Sequence, residues 1–377
     1  MRGPRRPDAG SRRGGGATLG AGREFRGAGS IAPCPGVPVR AILDNHPAAG
    51  PPRFRLILSV TPSREAFMSI RPVKRLIKAQ PTLEGAGVHL RRAFGFGDTD
   101  EYDPFLLLDD FRNDRPEDYL KGFPWHPHRG IETITYVLSG TVDHGDSLGN
   151  AGSIATGDVQ WMTAGSGIIH QEMPHGDAHG RMHGFQLWAN LPSSLKMTAP
   201  RYQDIKAGDI PEIVDDDGTR VRVICGNVWG ATGPVDGIAA DPHYVDVWVP
   251  AGTRKRIPVE TGRHAFAYVF DGAGRFANAS EPMAAPTESV GEVRIPLDGH
   301  ADGSSAPQDA DNRSLVLFDR GDEVTVEAGE SGIRFLLVSG RPLREPVAWY
   351  GPIVMNTREQ LMQAYAELQS GTFLKDG

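Results

Sequence analysis

The stretch Gly122-Phe123-Pro124-Trp125-His126-Pro127-His128-Arg129-Gly130-Ile131-Glu132 places two histidines one residue apart, just before an apolar run from Ile131 to Leu138. Side chains on an extended strand alternate with period two, so His126 and His128 share a face, about 7 Å apart along the backbone. Two neutral imidazoles on one face can converge on a single cation. The pattern returns some forty residues later, where Gly165-Ser166-Gly167-Ile168-Ile169-His170-Gln171-Glu172 ends on a second same-face pair, His170 and Glu172. A lone His-x-His among 12 histidines carries little weight. A second pair after a glycine-rich turn, at a spacing that suits a barrel strand returning beside the first, carries much more. The expected metal ligands are therefore three imidazoles and one carboxylate: His126, His128, His170 and Glu172. His144, His175, His179 and His183 sit in turn-like Gly/Asp contexts, which suit surface or supporting roles.

Around these motifs the chain reads as short apolar strands separated by Gly, Pro and Asp turns, including Val159 to Met162, Phe185 to Trp188, Tyr244 to Val249 and Arg334 to Val338. That texture predicts an all-β sandwich or barrel rather than alternating β and α units. An internal echo pairs Tyr136-Val137-Leu138-Ser139-Gly140 with Tyr268-Val269-Phe270-Asp271-Gly272, and Gly157-Asp158 with Gly321-Asp322. It predicts two related barrels in tandem. The second interval is longer, and the excess falls in 277–313, rich in Ala, Pro, Ser, Gly and Asp, which reads as a surface insertion. One packing helix is expected near the end. Asn356 or Thr357 would cap it, Glu359 would close a capping box, and Leu361, Ala364, Tyr365 and Leu368 would form its apolar face before Gly371.

Composition bounds the function classes. The 377 residues are 39% hydrophobic and 23% charged with a net charge of −7, which suits a globular chain of two domains and argues against a general nucleic-acid surface. No run approaches the roughly 20 apolar residues of a spanning helix. Two cysteines, Cys34 and Cys225, are too few to staple a fold of this size, and a cytoplasmic location is expected. Charge is uneven: residues 1–67 carry eleven Arg and no Lys against Asp8, Glu24, Asp44 and Glu65, a net +7 that leaves −14 on the rest. This Gly- and Pro-rich leader is expected to be disordered, or to be upstream sequence read in frame before a natural start at Met68.

The strings His126-Pro-His-Arg-Gly-Ile-Glu-Thr133, Asp146-Ser-Leu-Gly-Asn150, Gly157-Asp-Val-Gln-Trp-Met-Thr-Ala-Gly-Ser-Gly-Ile-Ile-His170, Gly184-Phe-Gln-Leu-Trp188 and Trp349-Tyr-Gly-Pro-Ile-Val-Met-Asn-Thr357 resemble the pirins, a bicupin family of the cupin superfamily. The resemblance runs from about Met68 to the C-terminus. It implies two tandem cupin (double-stranded β-helix, or jelly-roll) barrels, 68–200 with the metal and 201–345 without, followed by a C-terminal segment with a short helix, 346–377. Cupins often take a carboxylate from the first motif with four residues between it and the second His. Here Glu132 follows His128 after three, which turns it to the other face and leaves Glu172 as the carboxylate ligand. His264 stands alone in the corresponding strand of the second barrel.

The resemblance further implies Fe(II) as the metal, with Mn, Ni, Cu or Zn fitting the same donors. It implies quercetin 2,3-dioxygenase activity, in which O2 opens a flavonol-like ring with loss of carbon monoxide and Glu172 acts as catalytic base. Trp125, Phe123, Met173 and Phe185 are candidates to line the mouth, where the Trp125 ring would narrow the entrance; core packing is an equal reading for Phe185. A second class is a redox-sensitive regulator of transcription-factor or metabolic-enzyme complexes, on which Arg129 and the acidic second barrel would form a partner surface. Arg129 equally suits a structural ion pair. A zinc sugar-phosphate isomerase on a cupin barrel ranks low, because no basic phosphate cluster surrounds the motifs. Neither direct nucleic-acid binding nor membrane insertion is expected.

Overall fold

The computed structural model describes residues 68–278 and 309–375; the leader 1–67, Cys34 and most of the 277–313 segment lie outside them. Two β-barrels follow one another, as the repeat predicts. The first is built from a seven-stranded sheet and a four-stranded sheet, both antiparallel. The four-stranded sheet runs Phe123–His128, Ile168–His175, Thr141–Asp146, Ala151–Ile154. Its first two strands carry the two same-face pairs, and their register sets His170 opposite His126. At the centre of the larger sheet Ile131–Ser139 lies between Val159–Thr163 and His183–Asn190, followed outward by Phe105–Asp110, Val88–Phe94 and Gln80–Glu84.

The larger sheet is covered on both faces, so Ile131 to Val137 are all buried, Glu132, Thr133 and Thr135 included. Thr135 and Val137 face into the first barrel. Ile134 and Tyr136 face out, into an apolar core shared with Tyr244, Phe266, Tyr268 and Leu336 of the second barrel. The interior of the second barrel is filled by aliphatic side chains such as Val221, Val223, Val245, Val247 and Val324, with Phe276 and Phe335 among them. β-Branched residues of this kind pack well on a pleated surface.

The chain ends cross between barrels. The strand Val73–Lys78 pairs with Ser314–Phe318 at the edge of the second barrel's sheet. In return, the C-terminal segment crosses to the first barrel, where Ile353 bridges Arg129 and the Val354 N–H donates to the Arg129 carbonyl. The helix Arg358–Ser370 follows, and Leu361, Ala364, Tyr365 and Leu368 pack with Ile353, Met355 and Phe373. Its cap is Thr357, one residue later than the Glu359 box requires. The reciprocal partner is therefore Gln360, whose side chain reaches the Thr357 N–H while the Thr357 hydroxyl accepts from the Gln360 N–H.

The internal echo has a structural counterpart. Tyr136 donates its hydroxyl to Asp246 of the second barrel, and Tyr268 donates its hydroxyl to Asp110 of the first, each at 2.8 Å. Each buried carboxylate is also held by an arginine, Asp246 by Arg334 and Asp110 by Arg112. Equivalent tyrosines of the two repeats thus reach across the same apolar interface in opposite directions. Tyr136→Phe or Tyr268→Phe removes one donor from a buried carboxylate and is expected to cost about 1–3 kcal/mol. Thermal denaturation is expected to show a midpoint lowered by several degrees for each variant, with barrel secondary structure unchanged below the transition.

Candidate metal centre

The bend after Gly122 and the rigid Pro124 and Pro127 bring the strand Phe123–His128 in beside Ile168–His175. A bulge between His170 and Glu172 offsets the register at the lower pair. His126, His128 and His170 come together, with one ring nitrogen from each lying within 4.8 Å of the others. Backbone carbonyls fix two of the rings. His126 Nδ1 donates to the Pro124 carbonyl at 2.8 Å, and His128 Nδ1 donates to the Pro352 carbonyl at 3.2 Å. With Nδ1 protonated, each neutral imidazole carries its lone pair on Nε2. Those two Nε2 atoms face one another at 3.1 Å.

Two lone pairs held that close repel unless a positive charge lies between them, so the donor set fits a cation. The third ring agrees. His170 is buried, and among the described residues neither of its nitrogens has a hydrogen-bond partner. Burial, with the neighbouring imidazoles adding to it, pushes His128 well below the usual histidine range. His170 is pushed down to about 4, chiefly by burial, against an opposing pull from Glu172. Burial thus favours the neutral form of His128 and His170, the form in which imidazole ligates.

Glu172 lies outside that group of three nitrogens, though it lines the same cavity. Its carboxylate accepts from the Thr135 hydroxyl at 3.2 Å and from Gln186 Nε2 at 3.2 and 3.1 Å. Gln186 is itself oriented, because its Oε1 accepts from Trp188 Nε1 at 3.0 Å, turning the amide N–H toward Glu172. Glu132 points elsewhere, accepting from the Thr163 hydroxyl, and burial raises its carboxyl to about 7.

The cavity in front of the imidazoles holds about 480 Å³ and is walled by Val88, Leu90, Phe111, Phe123, Val142 and Trp188. Of the expected mouth residues, Phe123 lines it. Trp125 does not narrow it, being 55% exposed outside it and close to Gly145. Phe185 belongs to the core between the barrels, where its ring meets Tyr268 and Phe270. Met173 packs against Gly122. Parity explains the exchange of Phe185 for Gln186 and Trp188: on one strand Gln186 and Trp188 face inward, and Phe185 and Leu187 outward. Both faces are buried, so hydrophobicity alone does not say which is which.

Among the other histidines, His144 is buried inside the barrel beside Gln160 and stacks on Tyr202. His175 pairs with Asp143, and His183 with Asp114. His179 is exposed, and His264 begins a strand of the second barrel.

Arg129, next to a ligand, is 2% exposed and faces no partner surface. It donates to Glu367 at 2.7 Å and to the Phe373 carbonyl at 2.6 Å, and its guanidinium lies over the Phe373 ring at 4.2 Å. Buried Lys196 adds three further bonds, to the carbonyls of Gly130 and Val354 and to Asn190. Gly130 has φ +77, and a Cβ there would collide with the Val354 carbonyl, so glycine is what lets the C-terminal segment approach. This clamp delivers the Pro352 carbonyl to His128. Hydrogen bonds of that kind set the tautomer and orientation of a ligating ring.

Two jelly-roll barrels in one chain, the first with a cluster of three inward imidazoles, define a bicupin. Comparison with known proteins gives the family. Residues 87–189 match the Pirin family and residues 244–374 match the Pirin C-terminal cupin domain. A Pirin-like protein of Caulobacter vibrioides is 46% identical over 81% of this chain and 100% of its own length. A Pseudomonas aeruginosa protein named "Putative quercetin 2,3-dioxygenase" is 39% identical over 80% of this chain and 97% of its own. The crystal structure of a quercetin 2,3-dioxygenase from Acinetobacter baumannii superposes with a TM-score of 0.67 at 30% identity, covering 81% of this chain and 98% of that one. The chain belongs to the pirin family. No helix among the described residues is long and apolar enough to cross a membrane.

Replacing Arg129 by Met keeps the side-chain bulk and removes the tether to Glu367 and Phe373. The expected result is roughly tenfold weaker metal affinity in chelator competition, in line with other losses of ligand-orienting contacts. The far-ultraviolet circular dichroism spectrum is expected to stay unchanged.

Proposed function

We propose that this chain is an iron-dependent dioxygenase of the quercetin 2,3-dioxygenase type, opening a flavonol-like ring with O2 and releasing carbon monoxide. His126, His128, His170 and Glu172 are the proposed ligands. The observation that carries the reading is the arrangement at the end of the cavity: three clustered imidazoles, with a carboxylate beside them held by Thr135 and Gln186. When bound, the metal supplies a Lewis-acidic, redox-active centre that acidifies a substrate hydroxyl and brings O2 into reach.

The chain's own groups do the rest. The apolar walls take up a flat ring system and keep bulk water from it, and the cavity volume falls in the range of small-molecule sites. A Glu172 oxygen accepts the proton of the flavonol hydroxyl, leaving an electron-rich anion to react with O2. Gln186 Nε2 and the Thr135 hydroxyl hold that carboxylate facing the cavity, and Trp188 Nε1 prevents the amide from turning its oxygen toward it.

The iron-loaded protein is expected to consume O2 and bleach the long-wavelength flavonol absorption band. Glu172→Gln is expected to lower kcat about 100-fold or more, as loss of a general base does. Metal content of that variant separates two roles: iron retained assigns Glu172 to proton transfer, and iron lost assigns it to ligation. Unchanged absorbance with several flavonols at full metal occupancy would falsify the proposal. For the imidazoles, elemental analysis of His128→Ala is expected to find the metal gone, and full retention removes His128 from the ligand set.

A further inference from the structure

One row of polar side chains crosses the larger sheet of the first barrel, and neither the imidazole cluster nor the proposed proton transfer uses its far half. Thr135 pairs with Gln186, Gln186 with Asp109, and Asp109 with Arg92, on four adjacent strands. Directly paired residues share a face, and all four line the cavity. Adjacent strands lie about 4.8 Å apart, so Asp109 is about 10 Å from Thr135 across the row. Apolar residues flank it, Leu107 and Trp188 on one side and Leu90 and Phe111 on the other.

At the far end Arg92 meets Asp109 in a two-pronged pair, Nε to Oδ1 at 2.8 Å and Nη2 to Oδ2 at 2.7 Å. Nη2 also lies 2.8 Å from Glu84. No hydrogen bond to a described residue is recorded for Nη1. A pair that only tied strands together would gain nothing from facing a cavity, where both charges lose hydration.

We propose that Arg92 and Asp109 form a second recognition point of this cavity, which takes a neutral hydroxyl at the far end of a flat aromatic ligand whose near end reaches the imidazoles. The inference rests on the reading of the site given above and names what that reading leaves open, the polar group that selects the substrate. A phenolic hydroxyl suits both partners, since its O–H donates to the Asp109 carboxylate while its oxygen accepts from the guanidinium. One cation beside the carboxylates of Asp109 and Glu84 leaves a local charge of −1, which disfavours a carboxylate or phosphate in the same place. The hydroxyl would use the guanidinium donor and carboxylate lone pairs that the pair leaves over, and an analogue without it forgoes both bonds.

The test is calorimetric titration of the metal-loaded full chain with 3-hydroxyflavones that carry a hydroxyl, a hydrogen or a carboxylate on the ring farthest from the chelating oxygens. The hydroxyl compound is expected to bind about tenfold tighter than the hydrogen compound, as a hydrogen bond to charged groups gives. The carboxylate compound is expected to bind weakest. Arg92→Met combined with Asp109→Asn removes both charges at once and is expected to abolish the hydroxyl preference. A wild-type protein that binds hydroxyl and hydrogen compounds alike overturns the proposal, whatever the fate of the variant. So does a double variant that keeps the preference, or tightest binding of the carboxylate compound. O2 uptake on the same samples separates the two claims. Hydroxyl preference without uptake leaves the recognition point and removes the dioxygenase; uptake without hydroxyl preference does the reverse.

Discussion

Two imidazole nitrogens, Nε2 of His126 and of His128, face one another at 3.1 Å, and much of the surrounding structure serves to keep them there. Left free, the rings would rotate until each lone pair met a donor. Carbonyl oxygens prevent that by holding the opposite nitrogen of each ring. One carbonyl is local, two residues before His126. The other belongs to Pro352, more than two hundred residues away in sequence. The imidazole cluster is therefore completed by a segment that leaves the second barrel and returns to the first. Gly130, Lys196, Arg129 and Phe373 all bear on that return: one by having no side chain, two by donating to backbone carbonyls, and one by packing under a guanidinium.

The second constraint is that the larger sheet of the first barrel has no solvated face. Its outer side is the inter-barrel core, and its inner side is the cavity. The outer side is mainly apolar, and among its polar groups the reciprocal Tyr136–Asp246 and Tyr268–Asp110 bonds, with Arg334 and Arg112 on the same carboxylates, tie the two repeats together. The inner side is mixed by function: aliphatic and aromatic walls, with one polar row from Thr135 to Arg92. The second barrel's interior is closed with valine and phenylalanine, and its role toward the site is to supply a rigid back wall and the origin of the C-terminal segment.

Much of this was legible in the residues. The two same-face pairs, the glycine-rich turn, the tandem repeat and the terminal helix are local patterns, and local patterns follow from strand and helix periodicity. Where the reading slipped, it slipped by one position. Phe185 fits either the mouth or the core by sequence, and the structure puts it in the core while Gln186 and Trp188 face the cavity; Gln360, in place of Glu359, closes the helix cap. Strand parity says which residues share a face but not which face is inside, and when both are buried, hydrophobicity cannot break the tie. Trp125 lies within the strand Phe123–His128, one position before His126, so the parity that turns His126 and His128 inward turns its ring outward.

The sequence by itself determined the barrel architecture and its duplication and singled out the clustered histidines, because each rests on residues close in the chain or on a repeated string. Only the tertiary structure decided what those histidines meet. Gln186 on Glu172, the Pro352 carbonyl on His128, Arg129 under the C-terminal tail and Arg92 beside Asp109 join strands or segments that sequence spacing does not relate. Such contacts depend on how sheets stack and where a returning segment lands, and both are set by the packing of the whole core rather than by any local preference of the chain.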